Sequence, residues 1–586
     1  MNDPESYTSP RGLDRFFSLL ARLPISDRLF VHTLFAIVIA SGLWFVLSVN
    51  DNAAEAVPVT GGAVVEGIIG VPRFINPTLA TTRADRDLSA LIYDGVLTLD
   101  ETGELELQLA DAVDINDDGT VYTISLRDDV TFHDGTPLTA ADVVFTYQLM
   151  QDPDLKSPQR GNWNTVTINQ LGEYQLELEL AEPYAPFMEN LTTGIMPKHI
   201  WEDITAAEIP FHRLNIEPIG SGPYKIGTIN RTDSGAIAGY TLEAHSGAVA
   251  HSYLDTVEIR FFAREPDLRA ALRDETITST ADIATARLHE FDTEQYHIVT
   301  APLPRVFGIF FNQNRNPALR NQAARQALSL SIDREAIVSH ATHNYGVPTT
   351  LSVPPHFSAI ESVDVSPHPT LTADHEAARE LLEDDGWELN DDGLWERSMD
   401  DETAILSVTL RTPVAGMYSD AADAIVENWE ALGVEVRLEQ YEQSDLLDGI
   451  IRPREFEAVL FGMDVGHSVD LYPFWHSSQQ ADPGLNIAQF TSISTDRRLT
   501  RLRQPGDEAE LLETKQTVVE TLAEEVPALF LFSPQVTHVV RSDVQITDMP
   551  RLTDTSDRLK ALTSWHRETA TLWPIFHTHP AVITDI

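Results

Sequence analysis

The sequence predicts an α/β protein with two or three lobes behind a single membrane-spanning helix. Helical stretches alternate with short strands: 419–432 ends at Gly433, and the strand VEVRLEQ follows it directly. The 586 residues suffice for two or three substantial cores. Near the N-terminus, a long run without formal charge is typical of a membrane span. These three observations set the predicted architecture.

Residues 29–49 form the predicted transmembrane anchor. This run has 21 residues without a formal charge, enough for about 31 Å of helix at about 1.5 Å per residue. The basic residues that precede it are Arg11, Arg15, Arg22 and Arg28. The positive-inside rule therefore predicts a short cytoplasmic tail at 1–28, with the rest of the chain outside the membrane.

A cleaved signal peptide is the alternative interpretation of this N-terminus. Ala54-Glu55-Ala56 would then be the processing site. The apolar run is long for a signal peptide, which favours an uncleaved anchor. Residues 50–60 are expected to form a short linker rich in Ala, Pro and Val.

The composition excludes several classes of function. Lys and Arg total 40 against 90 Asp and Glu, giving a net charge of −50, so a nucleic-acid-binding surface is not expected. Such acidity with so little Lys fits life in high salt, where self-repulsion is screened, and equally an ordinary acidic soluble surface. The chain has no Cys, which excludes disulfides, thiolate metal sites and a lipid-modified Cys anchor.

Residues 109–150 predict a hairpin, a turn and a capped helix in succession. Asp117-Asp118-Gly119 separates two alternating runs, and in the second run Tyr122, Ile124 and Leu126 share one face. His133–Pro137 is a second turn. Thr139 and Asp142 have the spacing of a capping box, which predicts that a helix begins there.

Further along the chain, 305–338 predicts a strand followed by helices. Phe307, Ile309 and Phe311 would share one strand face, and Asp333 is placed to cap a helix. Residues 375–385 and 508–523 also have helical patterns.

The stretch LRDDVTFHDGTPLTAADVVFTYQLM resembles the signature of the extracytoplasmic solute-binding proteins, family 5, of ABC importers. The stretch 305–338 is a second match, and IMPKHIW and PIGSGPY resemble shorter family segments. The small departures include Val113 where the family usually has Trp, and Ile124 where it usually has Phe. The resemblance extends over roughly 60–573.

The resemblance implies a two-lobed, periplasmic-binding-protein-like fold of type II, from the large cluster with an extra subdomain. Lobe I with that subdomain is then expected at 61–304 and lobe II at 305–461. Residues 462–573 would return to lobe I and add the C-terminal helices, and 574–586 would form a tail.

The resemblance also implies ligand-binding residues. Peptide-binding family members place an Asp after the second crossing strand, which corresponds to Asp464 here, with Asp470 as the second choice. A peptide ammonium needs such a carboxylate because an unpaired buried charge is costly. The alternative for Asp464 is an ordinary exposed carboxylate among 90 acidic groups.

Five further residues are candidates for the ligand site. Phe461, Met463 and Trp475 could form apolar walls, with core packing as the alternative. Asn486 could offer backbone or amide contacts from the other lobe, and Trp163 lies where family members often line the cleft, with local loop structure as the alternative for both.

The family implies a receptor that binds an oligopeptide-like solute by hinge closure and delivers it to ABC permease subunits with cytoplasmic ATPases, without a cofactor or metal. A ligand sensor with the same lobes is the first alternative. A cleft hydrolase is the second, but His133-Asp134 alone is a weak metal motif, and HExxH, GxSxG and Walker motifs are absent from the sequence.

Overall fold

The computed structural model describes residues 24–53, 55–100, 103–355, 371–399, 402–466, 468–547, 549 and 551–572. Most of the expected cytoplasmic tail and the expected tail 574–586 lie outside the described residues. The chain forms two compact units, of which the larger is Gly61–Arg567 and the smaller contains the residues on either side of it.

The helices and strands are numbered in chain order. The strands are β1 (Glu55–Pro58), β2 (Ala63–Ile69), β3 (Leu97–Leu99), β4 (Leu105–Leu107), β5 (Ala110–Ile115), β6 (Val121–Leu126), β7 (Val166–Gln170), β8 (Gln175–Leu180), β9 (Tyr224–Arg231), β10 (Ile237–Ala244), β11 (Thr256–Phe262), β12 (Ser279–Thr280), β13 (Tyr296–Pro302), β14 (Arg305–Phe311), β15 (Gly346–Pro348), β16 (Glu388–Leu389), β17 (Trp395–Met399), β18 (Glu402–Ile405), β19 (Ser407–Pro413), β20 (Glu435–Tyr441), β21 (Ala458–Asp464), β22 (Ala528–Arg541) and β23 (Thr569–Leu572). The α-helices are α1 (Ile25–Ala53), α2 (Arg83–Ile92), α3 (Ala140–Gln151), α4 (Arg160–Trp163), α5 (Lys198–Trp201), α6 (Glu265–Arg273), α7 (Gln322–Leu330), α8 (Arg334–Thr342), α9 (His375–Asp384), α10 (Gly416–Leu432), α11 (Gln443–Leu446), α12 (Tyr472–Trp475), α13 (Ile493–Leu502) and α14 (Glu508–Glu525).

The smaller unit contains α1 and a two-stranded sheet. Residues Ile25–Phe45 of α1 have a mean hydropathy of 1.7, and the helix is long and apolar enough to cross a membrane. The predicted span 29–49 lies within α1. Residues 50–60, expected to be a linker, instead contain the end of α1 and strand β1, which pairs antiparallel with β23. Local composition could not indicate a partner strand more than 500 residues away.

A 12-stranded sheet runs through the larger unit, and its central strand is β22. The order is β20-β19-β21-β14-β22-β12-β2-β11-β10-β9, with β13 and β15 also paired to β22. The first part of β22 pairs with β14, where Phe310 lies opposite Ala528. The last part pairs with β13, where Tyr296 lies opposite Arg541. One strand therefore belongs to both halves of the sheet.

Separate hydrophobic cores lie on the two sides of this strand. The first lobe has a core that includes Val64, Leu88, Trp201, Tyr240 and Trp565. Its extra subdomain has a core of its own, which includes Tyr122, Ile124, Tyr147, Trp163 and Leu178. In the second lobe, the two faces of β14 contribute to two cores, one with Phe307, Ile309 and Phe311 and one with Val306 and Phe310. The predicted face of β14 is thus confirmed.

The residues that follow 462, where the return to the first lobe is predicted, pack against β14. Met463, Trp475 and Phe490 pack in the same core as Val306 and Phe310, which belong to the second lobe. The chain rejoins the first half of the sheet through the last part of β22, beginning where Gln535 pairs with Pro302. The predicted boundary at 462 follows the end of a recognisable strand.

The predicted hairpin and capped helix are both present. β5 and β6 pair antiparallel, and Gly119 in the turn has a φ of +69°. Along β6, Tyr122, Ile124 and Leu126 are buried as predicted. The Thr139 amide donates to Asp142 Oδ2 at 2.9 Å where α3 begins. Asp333 likewise caps α8, since its carboxylate accepts from the Ala336 amide at 2.8 Å.

A fully buried network of charged side chains joins the sheet of the first lobe to the helices packed on it. Arg558 donates to both carboxylate oxygens of Asp87 at 2.7 Å and lies 3.3 Å from Glu66 Oε1. His538 Nε2 on β22 lies 3.0 Å from Glu66 Oε2, and the Ser279 hydroxyl also donates to Glu66. Burial by itself raises the pKa of Glu66, but His538 and Arg558 oppose it and bring the pKa down to about 2. The network ties β22 to β2, α2 and the Thr555–Thr563 3-10 helix.

Replacing Arg558 with Met is expected to lower the free energy of unfolding by about 3–5 kcal/mol, because the buried carboxylates of Asp87 and Glu66 both lose the guanidinium that they share. Urea unfolding followed by circular dichroism measures this. The matched control is Arg452→Met, which removes an exposed pair with Asp448 at 2.7 Å and should cost less than about 1 kcal/mol. Equal small losses in both variants would contradict a structural role for the network.

Glu66→Gln is expected to change the pH dependence of stability. The folded-state pKa of Glu66 lies below the unfolded-state value, so its stabilisation is complete above about pH 4.3. That stabilisation is lost as the pH falls toward a folded-state pKa of about 2. The difference in unfolding free energy between the native protein and Glu66→Gln should therefore shrink over this range. A difference that stays constant between the two pH values would refute the assigned pKa shift.

Candidate functional site

The candidate site lies where the chain crosses between the two lobes. The Leu303 amide donates to the Pro534 carbonyl at 3.3 Å, and the Val465 amide donates to the Pro304 carbonyl at 2.8 Å. Three separate segments therefore meet at the crossing. β14 and β21 begin and end there, so the first residue of one strand lies beside the last residue of the other.

These two residues are Arg305 and Asp464, and they form an ion pair. Arg305 Nη2 lies 2.8 Å from Asp464 Oδ2, and the two residues are register partners in β14 and β21. The side chains are 42% and 47% exposed, respectively. Asp464 Oδ1 accepts a long hydrogen bond of 3.3 Å from the Gly466 amide. The carboxylate therefore keeps exposed surface that can accept a further donor.

Aromatic side chains lie on the Arg305 side of this pair. Tyr418 packs edge-on against Phe307 with ring centroids 5.3 Å apart, and Phe307 stacks on Phe532 at 5.0 Å. The half-buried Phe461 stacks against Tyr418 at 6.4 Å. Burial raises the pKa of Tyr418 to about 12, against the opposing effect of the nearby Arg305 charge. An exposed ion pair beside an aromatic wall suits a ligand that has both charged and apolar parts.

Asp470 occupies a different environment. It forms an ion pair with Arg503, and its Oδ1 accepts from the Tyr472 amide at 3.1 Å. Asp470 lines a cavity of about 460 Å³ together with Lys515, whose pKa is lowered by burial. Its carboxylate thus already has protein partners on two sides.

The same region makes contacts between the extra subdomain and the second lobe. The Arg503 guanidinium lies 3.9 Å from the Tyr472 ring centroid and 4.8 Å from that of Tyr184 in the first lobe. Glu189 Oε1 accepts from the Ser468 amide at 2.6 Å. Burial, with a smaller effect of Asp470, raises the pKa of Tyr184 to about 12. We call Tyr184, Glu189, Ser468 and Arg503 the interlobe latch.

Two of the predicted wall residues are buried in the core of the second lobe. Met463 is 2% exposed and Trp475 is 0% exposed. The Trp475 ring lies 6.1 Å from that of Phe310 and 6.0 Å from that of Phe530. Because core packing surrounds them, these side chains offer no surface to a ligand in this conformation.

Asn486 and Trp163 are also buried. Asn486 Nδ2 donates to the carbonyls of Phe490 at 2.9 Å and His476 at 3.2 Å, which fixes the loop around it. Trp163 stacks on Tyr147 at 4.0 Å in the core of the extra subdomain. In this conformation both side chains contact the protein itself, Asn486 within its loop and Trp163 within the core of the extra subdomain.

Arg305 and the interlobe latch were not predicted as functional from the sequence. Arg305 begins a strand that the sequence identifies, but its partner is 159 residues away. Pairing β14 with β21 in register would have placed Arg305 opposite Asp464, and no local pattern gives that register.

The weak metal motif His133-Asp134 has other partners. His133 accepts from the Gly220 amide at 3.3 Å and lies 3.1 Å from the Gly222 carbonyl, and burial lowers its pKa to about 4. Asp134 Oδ2 lies 2.8 Å from His199 Nε2. In the part of the chain that the structure describes, no group of three or more His, Cys, Asp or Glu residues could hold a metal ion.

Comparison with known proteins identifies relatives over most of the chain. The oligopeptide-binding protein AppA of Bacillus subtilis is 28% identical over 504 residues, which cover 83% of this chain and 89% of AppA. Protein XP55 of Streptomyces lividans is 27% identical, with coverage of 78% and 80%, respectively.

Solved structures agree with the sequence relatives. The structure of B. subtilis AppA in complex with a nonapeptide superposes with a TM-score of 0.65 at 26% identity, covering 87% of this chain and 99% of AppA. HbpA2 from Haemophilus parasuis has the same fold, with a TM-score of 0.71 at 21% identity and coverage of 84% and 98%. These matches confirm the predicted α/β fold of periplasmic solute-binding proteins.

The profile of one protein family matches residues 104–483, well over half of the chain. On this evidence, the chain belongs to the bacterial extracellular solute-binding proteins, family 5.

Proposed function

We propose that this protein is the substrate-binding receptor of an ABC importer, which captures an oligopeptide-like solute and delivers it chemically unchanged to the permease. Its relative AppA is named an oligopeptide-binding protein and has been solved with a nonapeptide. The observation that carries the proposal is the half-exposed carboxylate of Asp464 at the crossing between the lobes. A peptide ammonium enclosed between lobes requires such a partner.

Asp464 and Phe461 are the proposed ligand contacts. Oδ1 of Asp464 accepts one long hydrogen bond and has room for an ammonium donor. Phe461, stacked on Tyr418, would contact apolar parts of the ligand. Met463, Trp475, Asn486 and Trp163 would act indirectly by holding the surrounding structure, and Asp470 would hold Arg503 in the interlobe latch.

Hinge closure is the proposed mechanism. Two segments cross between the lobes, and the latch joins the lobes through the loop that follows the crossing. Ligand that contacts both lobes would favour the closed form, because only that form offers both sets of contacts. Closure would exclude water and strengthen the attraction between the ammonium and Asp464. We propose lobe boundaries near residues 303–305 and 533–535, where the chain crosses.

An extracytoplasmic location with a membrane tether completes the proposal. Helix α1 has the length and hydropathy of an anchor, and a signal sequence has the same properties. The excess of Arg before it favours a cytoplasmic N-terminus. The proposed partners are permease subunits driven by cytoplasmic ATPases, and the protein itself would catalyse no reaction.

Asp464→Asn is expected to weaken binding of free-amine peptides by about 10- to 100-fold, because a hydrogen bond to a charged group is lost. Isothermal titration calorimetry on the full chain in detergent, with free and N-acetylated forms of one peptide, measures this. The N-acetylated form should lose little. Asp448→Asn is the matched control, since Asp448 is also an Arg-paired surface carboxylate of the second lobe. Equal losses for both peptide forms would remove Asp464 from the site.

Mass spectrometry of the peptides after incubation separates a receptor from a hydrolase. Intact peptides recovered from the protein support the receptor, and cleavage products support the hydrolase.

Deleting the gene should abolish peptide uptake by cells. Unchanged uptake with an altered cellular response would support a sensor instead.

Tyr184→Leu is expected to open the lobes. It removes a cation–π contact with Arg503 that spans the lobes, worth about 1 kcal/mol, or about fivefold in Kd. Peptide affinity should fall by this factor, and small-angle X-ray scattering of the ligand-free protein should give a larger radius of gyration. Tyr174→Leu is the control, because Tyr174 packs on the core of the same subdomain. An unchanged affinity and radius for Tyr184→Leu would show that the latch does not contribute to closure.

A further inference from the structure

The ion pair at the crossing has a consequence for ligand charge. Arg305 and Asp464 together carry no net charge, since the guanidinium neutralises the carboxylate at 2.8 Å. On one side, Tyr418 lies near Arg305 and contacts the uncharged rings of Phe307 and Phe461. On the other side, the Glu189 carboxylate lies close to Gly466, whose amide donates to Asp464. A ligand ammonium that reaches Asp464 would add a positive charge close to the Arg305 guanidinium, in the region that closure would enclose. Such a charge is costly away from water unless an anionic group accompanies it.

Arg305 has the hydrogen-bonding capacity to receive that anionic group. Within the described residues, its side chain donates one hydrogen bond, from Nη2 to Asp464. The guanidinium has five N–H donors in a planar fork that matches a carboxylate. The side chain is 42% exposed, so the remaining donors are accessible.

The spacing of the pair fits a single ligand residue. Arg305 and Asp464 are directly opposite register partners in antiparallel strands, so their Cβ atoms lie about 5 Å apart. Two charged groups on the same carbon, or on carbons a few bonds apart, can contact both side chains at once.

We propose that this site selects ligands whose free ammonium is accompanied by a nearby carboxylate, with Asp464 binding the ammonium and Arg305 binding the carboxylate. Arg305 is then a specificity-determining residue. Two kinds of peptide have this chemistry: one whose first residue is Asp or Glu, with a side-chain carboxylate, and one that begins with a γ-linked glutamyl group, with an α-carboxylate. The inference rests on the proposed function, in which Asp464 receives the ligand ammonium.

The test compares matched peptides on the full chain in detergent by isothermal titration calorimetry. The peptides differ only in the first residue, which is Glu, γ-linked Glu or Gln, and each is prepared at several lengths. The native protein should bind at least one acidic form about tenfold or more tighter than the Gln form, because a charge-assisted pair is gained. The tighter of the two acidic forms identifies the source of the carboxylate.

Arg305→Gln should remove this preference while leaving the Gln peptide bound as in the native protein or tighter. Arg305→Lys keeps the charge without the planar fork and should restore part of the preference, which also guards against misfolding of the Gln variant. Arg315→Gln is the control, since Arg315 is an exposed Arg at 3.5 Å from Glu455 in the same lobe.

The outcomes distinguish a failure of this inference from a failure of the proposed function. If the native protein binds all three peptides equally, or if Arg305→Gln weakens all three by the same factor, the inference is overturned and the peptide receptor stands. If no peptide of any length binds the native protein, the proposed function itself fails, and the inference fails with it.

Discussion

Strand β22 is the element on which the two-lobed architecture depends, because both halves of the sheet obtain hydrogen bonds from it. Its first residues pair with β14 in the second lobe, and its last residues pair with β13 and β12 in the first. A continuous strand can bend or twist but cannot separate the lobes, so relative motion is confined to the residues around the crossing. The buried network of Glu66, Arg558 and Asp87 fixes the first-lobe end through His538.

The crossing also determines where a ligand can contact charged groups of the protein. Arg305 and Asp464 are the residues at which β14 and β21 meet the hinge, so their charges lie in the region that closure would enclose. Met463 and Trp475, predicted as ligand walls beside Asp464, are buried in the core behind it. The end of β21 and the loop after it thus combine an exposed carboxylate at the crossing with a buried aromatic core.

Features set by neighbouring residues could be predicted from the sequence. The β5–β6 hairpin, the Asp333 cap and the helices at 322–342 and 416–432 follow from turns, caps and periodicity within short windows. Features that depend on distant residues could not be predicted. Arg305 and Asp464 are 159 residues apart, and Glu66 and Arg558 are 492 apart. Which core the loop and helices after 462 fill likewise depends on tertiary packing rather than on local pattern.

A crystal structure of the protein with a bound free-amine peptide would show whether Asp464 receives the ligand. We expect a chemically intact peptide enclosed between the lobes, with its ammonium nitrogen about 3 Å from Asp464 Oδ1. A peptide bound away from the crossing, for example in the cavity beside Asp470 and Lys515, or a peptide found cleaved, would contradict this expectation.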